Sequence, residues 1–206
     1  MEIAVLVFDR ITALDAIGPY EVLSRLPGAR VHWVGLQPGP VRTDSGLATF
    51  VVEPTLAELD RADVLVVPGG FGTRALIEDP AVLDWVRAVH ETTTWTTSVC
   101  TGSLVLAAAG LLAGVDATTH WAARELLAKL GANPVAERVV ERGKIMTAAG
   151  VSSGIDMALT LAARIAGDEV AQAIQLGIEY DPQPPFDTGS PEKAPPEIVE
   201  LVRSLT

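Results

Sequence analysis

Cys100 is the sole cysteine of this chain and its one soft nucleophile. It follows Trp95–Val99, whose β-branched residues predict a strand, and precedes Thr101-Gly102-Ser103, whose small residues open a helix. A thiol at a strand-to-helix turn stands at the sheet edge, as a nucleophile elbow does. The free amides of a helix N-terminus favour an anion there, which predicts a lowered thiol pKa. The plainer alternative is a small buried apolar residue, the usual fate of a free cysteine. A single cysteine forms no intrachain disulfide and no thiolate zinc site.

Asp15 lies in an otherwise apolar stretch, ahead of a helix expected to start near Gly18-Pro19. It either caps that helix or acts as a general acid/base facing the thiol, its pKa raised by desolvation and the nearby charge. Glu21, one turn further, is expected to face solvent. The pair Gly69-Gly70 follows Val64–Val67 and could aim amides at a developing anion. It is no phosphate loop, because no lysine-serine pair follows. Of the three histidines only His120 falls near this edge, as a partner for Cys100 or as a packing and capping residue. No ligand pairs at helical spacing suggest a metal.

These residues need a scaffold, and the alternation of short β-branched runs with helical stretches predicts an α/β sheet covered by helices. Strands are expected at Ile3–Phe8, Arg30–Leu36, Val64–Val67 and Trp95–Val99, with a small hairpin inside 41–52. The continuous apolar run Val64–Val67 suits a central parallel strand. Ligands of such sheets bind at the carboxyl ends of the strands. If the three strands preceding Asp15, Gly69 and Cys100 are neighbours, all three groups meet at one edge.

Asp79-Pro80 predicts a capped helix through His90. Ser153 with Asp156 has the spacing of a capping box opening a helix to Ala166, stopped by Gly167. Further helices are expected over 101–112 and 121–130, and a hairpin around Gly143. Residues 1–180 form the main domain. Residues 181–206 are a proline-rich arm with a last helix at Pro196–Ser204, expected to strap a partner subunit through Phe186.

At 206 residues with 49% apolar side chains, the chain supports one well-cored domain. Its formal charge of −11 and lack of a basic cluster exclude nucleic acid as a partner. The start, Met1-Glu2 before a short apolar run, reads as a first strand rather than a signal peptide. The longest apolar run, near Leu104–Val115, is too short to span a membrane. A cytoplasmic protein without membrane partners is the expectation.

Taken together, these motifs resemble the ThiJ/PfpI superfamily. The resemblance is carried by Leu14-Asp15-Ala16-Ile17-Gly18-Pro19-Tyr20-Glu21-Val22, Val67-Pro68-Gly69-Gly70, Ser98-Val99-Cys100-Thr101-Gly102, Thr118-Thr119-His120-Trp121 and Thr147–Asp156. It implies the class I glutamine amidotransferase-like fold, a flavodoxin-like three-layer α/β/α sandwich with a mostly parallel sheet. Members resembling intracellular proteases carry histidine after the nucleophile, where Thr101 stands here. Regulator members append a helix-turn-helix domain, which is not expected here. The carboxylate is aspartate, where redox-responsive and deglycase-like members have glutamate.

With the arm Ile178–Ala194, the resemblance points to the isonitrile-hydrating members. It implies hydration of an isonitrile to an N-substituted formamide, with no cofactor. The Cys100 thiolate would attack the terminal carbon while Asp15 supplies the proton, and the resulting thioimidate would be hydrolysed. Thr101 would hold water or substrate nitrogen through its hydroxyl and amide, and Gly70 would add an amide. Ile17, Phe71 and Trp121 would line an apolar pocket. The resemblance also implies a homodimer. The competing expectations are a redox or ligand sensor with an oxidisable Cys100, and another cysteine hydrolase of this fold using His120.

Overall fold

The computed structural model describes residues 1–205. In chain order the first half runs β1 (Glu2–Leu6), α1 (Ala13–Leu23), β2 (Arg30–Val34), β3 (Gly39–Arg42), β4 (Thr49–Val52), β5 (Val64–Val67), α2 (Thr73–Leu76) and α3 (Pro80–Thr92). The second half runs β6 (Trp95–Val99), α4 (Gly102–Ala108), β7 (Asp116–Ala117), α5 (Arg124–Lys129), β8 (Asn133–Pro134), β9 (Val139–Arg142), β10 (Ile145–Ala148), α6 (Ser153–Ala166), α7 (Asp168–Gly177) and α8 (Pro196–Leu205).

Six strands form the central sheet in the order β2-β1-β5-β6-β10-β9. Only the edge strand β9 is antiparallel, paired to β10 through the turn at Gly143. Helices α1, α6 and α7 pack together, as do α2, α3 and α5 with α4, which gives the three-layer sandwich. All four residues of β5 are buried, as a strand covered on both faces requires. Burying each contributes roughly 1.5–3 kcal/mol. The expected hairpin inside 41–52 is the separate two-stranded pair β3-β4. No helix among the described residues is long and apolar enough to cross a membrane.

The sheet order makes β1, β5 and β6 neighbours, with Val5 beside Val66 and Val67 beside Ser98. The three loops expected to carry chemistry therefore leave one edge side by side. Strands β1 and β2 end two residues earlier than expected, at Leu6 and Val34.

Four helix expectations change in an instructive way. Helix α1 begins at Ala13, five residues before Gly18, and carries Pro19 in its interior. Gly18 is there for packing: a Cβ would lie 3.1 Å from Cγ1 of Ile155 on α6. Helix α4 stops at Ala108 rather than 112, because the chain turns back through Gly110 at φ +85°. The expected capping box does not form. The Ser153 hydroxyl donates to the Gly150 carbonyl, while Asp156 pairs with Arg138 at 2.6 Å and accepts from the Tyr180 hydroxyl. Around Trp121 the chain forms a short 3₁₀ turn before α5. Asp79, by contrast, caps α3 as expected, accepting from the Ala81 amide at 2.9 Å.

Between Asp181 and Pro195 the arm has no helix or strand. It lies against its own chain. Arg124 pairs with Glu192 at 3.2 Å, and the Arg203 guanidinium sits 5.8 Å from the Trp121 ring centre.

Candidate active site

Cys100 occupies the turn between β6 and α4 with φ +55°, a left-handed conformation that costs a non-glycine residue about 1–3 kcal/mol. Surrounding hydrogen bonds hold it there. Its amide donates to the carbonyls of Ala148 (3.1 Å) and Ala149 (2.8 Å). Its carbonyl accepts from the hydroxyls of Ser103 (3.2 Å) and Thr119 (2.9 Å). The elbow is therefore built from β10 and the Thr119 loop as well as its own strand.

Asp15, in the first turn of α1, is fully buried. It does not cap the helix. Its Oδ2 accepts from the Gly69 amide at 2.9 Å, while the buried Oδ1 meets no hydrogen-bond criterion among the described residues. Gly69 is required by close approach, since a Cβ would sit 2.5 Å from the Thr101 nitrogen and 2.8 Å from Asp15 Oδ2. Burial raises the Asp15 carboxyl to about 7, against the restraining influence of the Gly69 amide and the Cys100 thiol. A raised carboxyl is what the apolar stretch around Asp15 predicts.

The thiol departs from expectation. Burial, then the charge of Asp15, raises Cys100 to about 12, although the amides of Val151 and Thr101 favour its anion. A seven-residue helix offers too little field to offset loss of water beside a carboxylate. Burial and mutual repulsion disfavour ionising both groups, so the pair carries at most one negative charge.

Two further expectations are corrected. The Gly70 amide donates to Thr101 Oγ1 at 2.9 Å and the Gly69 amide to Asp15, so neither is free for a substrate anion. The Thr101 hydroxyl, in turn, is engaged by Gly70 and by the Thr73 hydroxyl at 3.1 Å, which fixes the loop rather than a water. The Thr101 amide keeps its place at the sulfur.

Over Cys100 opens a cavity of about 320 Å³ whose walls include Cys100, Thr101, Gly70, Phe71, Arg74, His120 and Val151. Of the expected apolar lining, Phe71 is present. Ile17 lies instead on the exposed face of α1, and Trp121 faces a neighbouring cavity under the arm. Glu21 is exposed and paired with Arg25, as expected. His120 Nδ1 accepts from the Ala122 amide at 3.3 Å, so the capping role is observed. Burial, Arg74 and Arg124 lower its pKa, and no hydrogen bond joins it to Cys100 among the described residues.

Sequence reasoning missed the Val151 amide and the Arg74 wall. Val151 was findable, because it follows β10 as Cys100 follows β6 and both strands end at the same edge. Arg74 carries no such signal, since a lone arginine on a short helix has no pattern.

The DJ-1/PfpI family model matches residues 1–164. An isonitrile hydratase of Pseudomonas putida is 47% identical over 98% of this chain and 89% of its own length. The HTH-type transcriptional regulator CdhR of Pseudomonas aeruginosa is 31% identical, covering 77% of this chain and 48% of the regulator. Among solved structures, a ThiJ/PfpI family protein of Pseudomonas syringae superposes with a TM-score of 0.95 at 38% identity, covering 99% of this chain and 85% of that one. With a cysteine elbow beside a mostly parallel sheet and these matches along its length, the chain belongs to the DJ-1/PfpI family.

Proposed function

We propose that this protein is an enzyme that hydrates isonitriles to N-substituted formamides, with Cys100 as nucleophile and Asp15 as the proton carrier. The observation that carries the mechanism is the buried Asp15 carboxyl, anchored through Oδ2 to the Gly69 amide and set beside the Cys100 thiol. Its pKa near 7 makes both protonation states accessible at neutral pH, as a group that takes and returns a proton requires. The 47% identity to the Pseudomonas putida isonitrile hydratase supports the substrate class.

Ionised Asp15 takes the thiol proton as sulfur forms a bond to the terminal isonitrile carbon, and the amides of Thr101 and Val151 steady the developing thiolate. Asp15 returns that proton to the same carbon, leaving a thioimidate, R–N=CH–S. Water then adds to this carbon; Asp15 takes one water proton and passes it to nitrogen. The adduct expels sulfur, its hydroxyl proton travels through Asp15 to the thiolate, and R–NH–CHO leaves. Each proton transfer by a positioned group is worth on the order of 10²–10⁴ in rate.

A peroxide sensor is the weaker reading, because sensor cysteines are exposed and of low pKa, whereas this thiol is buried with a raised one. A histidine-dependent hydrolase is also weaker, with His120 bonded to Ala122. We further propose a homodimer, supported by the exposed apolar Leu14 and Ile17 on α1 beside the site. Sedimentation should then give twice the 21.6 kDa chain mass. The activity is tested with cyclohexyl isocyanide and no added cofactor. Formation of N-cyclohexylformamide that disappears in Cys100→Ala supports the reading, and no formamide across a panel of isonitriles rejects it.

A further inference from the structure

Arg74 stands on the wall of the Cys100 cavity with no carboxylate opposite it. Among the described residues, neither Arg74 nor Arg10 takes part in an ion pair. In a chain of formal charge −11, two guanidiniums without an ion pair at one spot run against the overall balance, Arg74 donating only to the Gly70 carbonyl at 3.4 Å among the described residues. Phe71 holds both, with Arg10 5.4 Å and Arg74 5.6 Å from its ring centre. No aspartate or glutamate is among the cavity's wall residues.

Arg74 shares the cavity wall with Phe71 and His120, and its charge helps to lower the His120 pKa. A guanidinium presents a planar fork of donors matched to a carboxylate. The Phe71 ring beside it offers apolar contact to a short carbon linker.

We propose that Arg74 binds a carboxylate on the substrate's substituent, so that the preferred substrates are isonitriles bearing an acid group. This deepens, and rests on, the hydratase reading.

The lone thiol supplies a test that needs no hydration. Iodoacetate and iodoacetamide both alkylate Cys100 with loss of iodide, but only the first is an anion. The ratio of their second-order rates is compared in the parent, Arg74→Gln and Arg74→Lys. Arg74 is exposed, so neither change disturbs the core. The parent's iodoacetate preference should exceed that of Arg74→Gln by at least about tenfold, with Arg74→Lys between them. Equal ratios in all three overturn the anion subsite. The same proteins are then assayed on an isonitrile carboxylate and its methyl ester. A preference for the acid that is lost in Arg74→Gln supports the proposal, and a parent that prefers the ester overturns it. An alkylation preference in a parent that hydrates neither compound keeps the carboxylate subsite and rejects the hydratase reading instead.

Discussion

At the floor of the site Cys100 on the cavity wall and the fully buried Asp15 are withdrawn from water, whereas at the cavity rim Phe71 and Arg74 remain exposed. The difference decides what each region can do. On the floor, loss of water governs ionisation, raises both groups together and confines their charge to one site. At the rim, Arg74 keeps its charge in contact with solvent and can meet a ligand without a large desolvation cost. In the proposed mechanism chemistry belongs to the floor and selection to the rim.

That division sets an order of expected effects. Cys100→Ala removes the bond-forming atom and should reduce formamide formation to the uncatalysed background, measured by chromatography. Asp15→Asn should lower turnover by about 10²–10⁴ while leaving a folded, thiol-bearing protein. Gly69→Ala drives a methyl into the Thr101 nitrogen and Asp15 Oδ2. It should lower turnover at least tenfold and stability by roughly 1–3 kcal/mol, read from kinetics and urea unfolding.

A smaller effect comes from proton linkage. Folding raises Asp15 from its ordinary 3.8 to about 7, so the native state binds more protons than the unfolded chain between those values. The stability this provides is fully present below pH 3.8 and is lost as pH rises through about 7. Asp15→Asn should therefore raise Tm relative to the parent by more at pH 8 than at pH 5, measured by calorimetry. The smallest effect is expected from His120→Ala, less than tenfold in turnover, because His120 caps a turn and is not bonded to Cys100. A loss of several orders there would move His120 from the rim to the chemistry.

Much of the floor was legible in the sequence. The end of a β-branched run, followed by small residues, locates Cys100, and the same rule locates Gly69. Asp15 stands out as a carboxylate in an apolar stretch. What could not be read was how these groups use one another. The Gly70 amide looks free until the fold presents Thr101 Oγ1 to it at 2.9 Å. The thiol pKa reads as lowered from its helix and is raised by burial, which is a tertiary property. Gly18-Pro19 reads as a helix start, yet the pair lies inside α1 because α6 needs the close approach at Gly18. The arm's irregular backbone follows directly from its prolines, whereas its resting place on Trp121 and Arg124 depends on contacts distant in sequence.

The central claim is that Asp15 moves the protons for a thiol it faces. The most direct test is the pH dependence of formamide formation, from pH 5 to 9, for the parent and Asp15→Asn. The account predicts a parent rate that changes through an ionisation near 7, and a variant slowed about 10²–10⁴ in which that ionisation is gone. A variant with the parent's rate and the parent's profile would contradict it.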